Sequence, residues 1–375
     1  MVGASRSCPI PMEGVPLSRI ALVINPSKAN ADLAKALMGN ALAQAGLPKP
    51  LVLETSAEDP GAGMTLAALD AGATTIIAAG GDGTVRVVAE TLIRQGSSAE
   101  IGILPLGTGN LLARNLGMDV ENLELAVNVA VSGTVAPIDA MNIRAELRDG
   151  SETEHIGLVT TGMGLDAEVM TNIDDNLKSR LGPFAYAVQA APKMLGLDHR
   201  YKVRFSVDGS AWETRKVRTA LLANAGFIQG GIEFAPGALL DDGVQNAVLI
   251  MPRGLIGWTQ VAIKTLFHPS RRVPTVEYLE GHEIVVRPFY PLEAEVDGDP
   301  IGPTITLTST IIHHALNVRV PDPDDRSDPS GIIPKLLQLT QLSELEKLPP
   351  VIRVKRVRRR ILGRFRLHFF HWLRR

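Results

Sequence analysis

Up to about Ala136 the apolar residues come in short unbroken runs, Ile20 to Ile24, Leu51 to Leu53, Thr75 to Ala79 and a fourth opening at Ile101. Runs of this length without alternation read as strands buried on both faces, as in a parallel sheet. Between them the spacing is helical. Ala29 to Ala45 turns Leu33, Leu37 and Leu42 to its inner side, Gly63 to Ala71 makes a second helix, and Thr84 opens a third with Val85, Val88, Ala89 and Leu92. Beyond Ala136 short alternating segments take over: Ile138 to Ala145, His155 to Thr161, Tyr201 to Val207, Val217 to Ala223 and Gln245 to Ile250. Such strands, broken by Gly and Asp turns, predict an antiparallel sandwich. Helical insertions interrupt it at about 166–195 and 255–267. The predicted fold is therefore α/β in two domains. A doubly wound domain spans 19–136, and a β-sandwich spans 137–308.

The ends differ in composition. Residues 1–18 read as a disordered leader without the apolar core of a signal peptide. From Pro321 the sequence PDPDDRSDPS reads as a linker, and Ile332 to Leu348 has the length of a helix, so 321–350 is taken as linker and helix. Val351 to Arg375 holds ten Lys or Arg and no acid, interleaved with residues such as Ile361, Phe365, Phe369 and Trp372. On a helix this basic amphipathic tail would lie on an anionic membrane surface. The whole chain has a net charge of −2 and one cysteine, Cys8, which rules out an intrachain disulfide and suits a reducing compartment. No run of 18 or more apolar residues occurs. P-loop, HExxH, GxSxG and Cys/His zinc patterns are absent, and the eight histidines, including His313 and His314, read as structural.

The candidate chemistry sits where two apolar strands run into glycine turns. Thr75 to Ala79 is followed by Gly80, Gly81, Asp82, Gly83 and Thr84. Ile101 leads through LPL into Gly107, Thr108, Gly109 and Asn110 before LLARNLG. A strand, a glycine turn and a helix N-terminus together hold phosphate, because the backbone comes close and its N–H groups point at the anion. Asp82 would be repelled by phosphate unless a divalent cation or a proton intervenes; taken alone, GGDG is equally a capped turn. Two such turns at the ends of neighbouring strands face one crevice of a doubly wound sheet.

GGDGT followed by LPLGTGNLLARNLG resembles the diacylglycerol kinase catalytic family, the bacterial lipid kinase branch, which is related to sphingosine, ceramide and NAD kinases. GMGLDAEV at 162–169, RLGPFAYAVQ at 180–189 and APGALLDDGV at 235–244 extend the resemblance from about Ile20 to Pro321. The resemblance implies that the chain crosses back, so that 309–320 rejoins the first domain. It places ATP against Asn25, Thr55, Gly80, Gly81, Asp82, Gly83, Thr84, Val85, Arg86, Gly107, Thr108, Gly109 and Asn110. It assigns Mg²⁺ to Asp242 with the carbonyls of Leu239 and Val244, linked through water to Asp82, and puts Asp139 and Asp297 in a supporting acidic network. Asp299, in the DGD turn 297–299, takes the place of the general base, with Asp82 as the other catalytic carboxylate.

The chain departs from the family pattern in three places. Ser27-Lys28-Ala29 replaces the small residue and glycine after Asn25-Pro26, Arg86-Val87 replaces Asn-Glu, and Asp299 replaces Glu. The implied function is an ATP-dependent, Mg²⁺-dependent lipid kinase acting on diacylglycerol or a similar lipid alcohol in phospholipid biosynthesis. A sphingoid-base or ceramide kinase, or an inactive lipid-binding homologue, are the alternatives. The expected setting is peripheral, at the cytoplasmic face of the inner membrane. The lipid acceptor and the anionic surface are the partners, nucleic acid is not expected, and oligomeric state is left open.

Overall fold

The computed structural model describes residues 19–164, 200–228, 231–254, 257, 260–261 and 273–327. The leader, most of both helical insertions, the 332–348 helix and the basic tail lie outside the described residues.

The first lobe alternates strand and helix as its patterning predicts. β1 (Ile20–Ile24), α1 (Ala31–Gln44), β2 (Leu51–Glu54), α2 (Ala62–Asp70), β3 (Thr75–Gly80), α3 (Asp82–Arg94) and β4 (Glu100–Pro105) are followed by α4 (Leu111–Asn115) and α5 (Leu123–Ser132). The strands pair parallel in the order β2-β1-β3-β4. β1 and β3 are buried along their whole length, so their unbroken apolar runs have a core on each face. Leu33 is a correction: it is 52% exposed, and the stripe that reaches the core is Ala31, Ala34, Met38 and Leu42. The i+4 steps from Ala34 to Met38 to Leu42 share a face that Leu33 leaves.

The second lobe contains β5 (Thr134–Leu147), β6 (Glu152–Gly157), β7 (Thr160–Gly164), β8 (Tyr201–Val207), β9 (Glu213–Val217), β10 (Thr219–Ala223), β11 (Phe227–Ile228), β12 (Ile232–Glu233) and β13 (Gln245–Ile250). β14 (Val276–Gly281), β15 (Glu283–Pro288), β16 (Leu292–Val296) and β17 (Asp299–Val320) complete it. One row runs β14-β13-β10-β7-β16, another runs β9-β8-β15-β17-β5-β6, and β17 joins them. Met141, Ile143, Met163, Phe205, Leu222 and Leu249 are among the side chains of the core between them. β17 is 22 residues long. It begins beside β16, crosses the second lobe, and ends paired parallel with β4 through Val318 and Ile101.

Two segments expected as single strands are divided. His155 to Thr161 breaks at Leu158-Val159, because the amides of Leu158, Val159 and Thr160 turn to the Asp297 carboxylate instead of a ladder. Val217 to Ala223 breaks at Arg218, whose amide goes to Ile250 outside the regular register.

Candidate active site

The two glycine loops touch each other. Leu106 N–H donates to the Gly80 carbonyl at 2.8 Å. A Cβ on Gly107 would stand 2.6 Å from the Gly81 Cα, and one on Gly80 would meet the Thr84 side chain at the same distance. Glycine is needed here because one backbone packs against the other, as well as for any approach of phosphate. Asn110 clamps its loop from within. Its side-chain amide donates to the Gly107 carbonyl and its side-chain oxygen accepts from the Gly107 N–H, while its backbone adopts φ +49°.

Asp82 ties one loop to the other. Its Oδ2 accepts from Asn110 N–H at 2.8 Å and its Oδ1 from Leu111 N–H at 2.5 Å. Those are the first free amides of α4, so the carboxylate caps a helix on a different strand–loop unit. Burial pushes its carboxyl up, and the two amides and Arg114 pull it back. α4 also reaches the second lobe through Asn115, which exchanges two hydrogen bonds with the backbone of Phe227.

The DGD turn is a two-residue hairpin. Val296 pairs with Asp299, and the central residues Asp297 and Gly298 have φ of +50° and +89°. Gly298 N–H donates to Glu295 Oε2. Asp297 accepts three amides, Leu158 at Oδ2 and Val159 and Thr160 at Oδ1. One pocket is lined by both Asp82 and Asp297, with Val85, Ile103, Leu158 and Val159. Burial pushes the Asp297 carboxyl up to about 6 against the pull of three amides and Arg86. The unfolded chain releases the same proton near 4. The folded protein therefore holds the proton more tightly between roughly pH 4 and 6, and this group's contribution to stability falls as pH rises through that window. Thermal unfolding midpoints at pH 5 and pH 7 should show this decline in wild type and lack it in Asp297→Asn; an identical pH dependence in the two proteins would contradict it.

Asp299, by contrast, has an exposed side chain held by Arg86, whose Nη2 lies 2.6 Å from its Oδ2. Arg86 is mostly buried, sits in the second turn of α3, and also faces Glu90 at 3.6 Å. A Cβ on Gly83 would stand 4.0 Å from the same Asp299 oxygen. The carboxylate is thus over the first glycine loop. Two of the departures from the family pattern, Arg86 and Asp299, are each other's partners.

Asn25 and Thr55 stand at the ends of β1 and β2, Asn25 accepting from the amide and hydroxyl of Ser27 and Thr55 buried beside Ile24. Thr84 and Val85 are buried in the first turn of α3, while Thr108 is exposed at the tip of its loop. Lys28 went unrecognised as a site residue. Its Nζ lies 3.9 Å from where a Gly81 Cβ would be. Its only sequence signal is its place in the turn after β1, where a cation stands in for the usual glycine.

The 239–244 loop is organised by Asp139, which is fully buried. Asp139 N–H donates to the Leu240 carbonyl, and its carboxylate accepts from Gly243 N–H, His314 N–H and His313 Nδ1 at 2.6 to 2.8 Å. Asp242 is exposed and its Oδ1 accepts from Val244 N–H, while Leu239 is exposed beside it. Asp242 keeps its other carboxylate oxygen open beside a glycine turn with φ +75°, a hard oxygen donor of the kind a divalent cation takes.

Residues 19–143 match the diacylglycerol kinase catalytic domain, and 158–320 match the YegS C-terminal NAD kinase beta sandwich-like domain. A Pseudomonas aeruginosa protein named "Probable lipid kinase YegS-like" is 31% identical over 263 residues, covering 68% of this chain and 79% of its own. The chain belongs to the YegS-like lipid kinase family. Its members include a Klebsiella pneumoniae protein of the same name, 28% identical over 68% of this chain and 80% of its own. The crystal structure of a diacylglycerol kinase from Bacillus anthracis shares the fold, with a TM-score of 0.61 at 18% identity over 82% of this chain and 98% of that one. As a member of the family the protein is a kinase with a lipid acceptor. The boundary between the two family models falls in the second lobe, after most of β5 and before β7.

Proposed function

We propose that this lipid kinase transfers the γ-phosphoryl group of ATP to the hydroxyl of diacylglycerol or a similar lipid alcohol, with Asp299 as general base. The observation that carries this reading is the Arg86–Asp299 contact, which holds a solvent-accessible carboxylate over the glycine loop expected to cradle the phosphates. In the transfer Asp299 accepts the proton of the lipid hydroxyl as that oxygen bonds to the γ-phosphorus. The bond from phosphorus to the bridging oxygen breaks, and its electron pair leaves with ADP. Lys28 and Arg86 bring positive charge to the loop where the nucleotide's negative charge gathers. The Asp297 hairpin fixes where Asp299 stands. Mg²⁺, when bound, would be held by Asp242 with the main-chain oxygens of Leu239 and Val244 and would neutralise phosphate charge.

The reading includes a peripheral location at the cytoplasmic face of the inner membrane, helped by the basic tail 351–375. Its test is the purified full chain with Mg-ATP and a panel of diacylglycerol, sphingoid base and ceramide in mixed micelles. Phosphorylated diacylglycerol is expected. Product from a sphingoid base or ceramide alone would move the acceptor class, and no product from any lipid would overturn the kinase reading.

A further inference from the structure

The outer face of β8, β9 and β15 carries a set of side chains that the chemistry above does not use. Lys202 and Arg204 point outward from β8, Lys216 lies opposite Lys202 on β9, and Arg287 lies opposite Arg204 on β15. Among the described residues none of these four cations meets a carboxylate. Three of them, Lys202, Arg204 and Arg287, lie over aromatic rings instead. Lys202 Nζ is 4.3 Å from the Phe289 centroid, Arg204 lies 5.7 Å from Trp212 and 5.8 Å from Phe289, and Arg287 lies 5.2 Å from Trp212. The rings remain open to solvent, with Trp212 44%, Phe289 47% and Tyr290 82% exposed.

A solvated sheet face needs no aromatics, and large exposed rings cost water contacts unless something covers them. Tryptophan and tyrosine with a basic surround are the residues that settle at the headgroup level of a bilayer. The remaining residues of the face agree. Thr214 and Val285 share it without charge, and its acid, Glu283, lies at the opposite end of β15 from Arg287. Phe289 and Tyr290 lead directly into β16, the strand that ends at the Asp297–Asp299 turn, so one strand joins this face to the proposed base.

We infer that this face is a membrane-docking surface whose partner is an anionic bilayer. Its cations meet lipid phosphates, and Trp212, Phe289 and Tyr290 enter the interface. The inference rests on the lipid-kinase reading for its purpose, but not for its test. It is also separate from the basic tail, since every residue in it belongs to the sandwich.

The experiment uses the full chain and vesicles of phosphatidylcholine with and without phosphatidylglycerol. Variants are Lys202→Glu with Arg204→Glu, Trp212→Ser with Phe289→Ser and Tyr290→Ser, and Arg358→Glu with Arg359→Glu and Arg360→Glu in the tail. Basic residues near an anionic surface contribute roughly 1 kcal/mol each, so losing two from the face should weaken binding to anionic vesicles at least about thirtyfold. The aromatic variant should lose binding to both vesicle types. In a Trp258→Phe, Trp372→Phe background, vesicles that carry brominated lipid should quench Trp212 and unbrominated vesicles should not. Phosphorylation of a short-chain soluble diacylglycerol should be unchanged in the face variants, which also reports that they fold. Silence of the wild type in that assay would count against the kinase reading, while vesicle binding would still decide the surface. Face variants that bind vesicles as wild type does, with the tail variant alone losing binding, would overturn the inference. So would an unquenched Trp212.

Discussion

Asp299→Asn is expected to lower kcat by about 10²–10⁴-fold, the usual contribution of a general base, while ATP still binds. Asparagine keeps the length and the hairpin but cannot take the hydroxyl proton. It also gives up the 2.6 Å ion pair with Arg86, so the control is Arg86→Met. If that change alone matched the loss in Asp299→Asn, the carboxylate would be serving Arg86 rather than the acceptor. Asp299→Glu should retain measurable turnover, because the extra methylene lengthens reach on a side chain that is exposed and has room to adjust. Single-turnover kinetics with a soluble diacylglycerol, beside equilibrium binding of a fluorescent ATP analogue, separate the chemical step from binding. Wild-type kcat in Asp299→Asn would mean that another group accepts the proton.

Asp82→Ala should lower kcat by roughly 10²–10³-fold, the range for removing a charge-positioning group, and destabilise the fold as well. The two effects have one origin. The carboxylate accepts the amides of Asn110 and Leu111, so its loss frees the N-terminus of α4 and the Gly107–Asn110 loop from the Gly80–Gly83 loop. Losing a capping side chain costs about 0.5–2 kcal/mol, visible as a lower denaturation midpoint. Asp82→Asn is the sharper variant, since it keeps an oxygen for one amide but turns an NH2 group toward the other. Its turnover should fall with a smaller change in stability. Near-normal turnover of Asp82→Ala at saturating Mg-ATP would remove Asp82 from the site.

Much of this protein is legible in one dimension. β8 spans the segment its alternation marks out, because a half-buried strand shows its period directly in its side chains. β13 also spans its expected segment, but as a short apolar run buried on both faces. The strand–glycine–helix order of both loops follows from unbroken apolar runs meeting residues that permit tight turns. Asp-Gly at 297–298 is a hairpin signal and forms one. Errors fell where two faces compete locally. Leu33 is apolar but one position off the buried stripe, and the amides at 158–160 leave their ladder for a carboxylate more than a hundred residues away.

The use of each polar side chain was decided elsewhere. Asp82 could be read as a metal or proton group, yet its oxygens are taken by amides of the next loop. Arg86 and Asp299 are 213 residues apart and meet only because β16 and β17 return the chain to α3. Lys28 replaces a glycine of the family pattern, and only the packing of β1 beside β3 puts its ammonium over Gly81. Asp139 holds the 240–243 loop and His313 together from β5, a strand far from both in sequence that pairs with the strand carrying His313. Periodicity and turn chemistry act over a few residues, so the sequence by itself determined the alternating elements up to β4, several strands of the second lobe, the two phosphate-type loops and the family. Ion pairs and caps between distant segments depend on how the strands are ordered, so only the tertiary structure decided which carboxylate supports the fold and which one is left open to solvent.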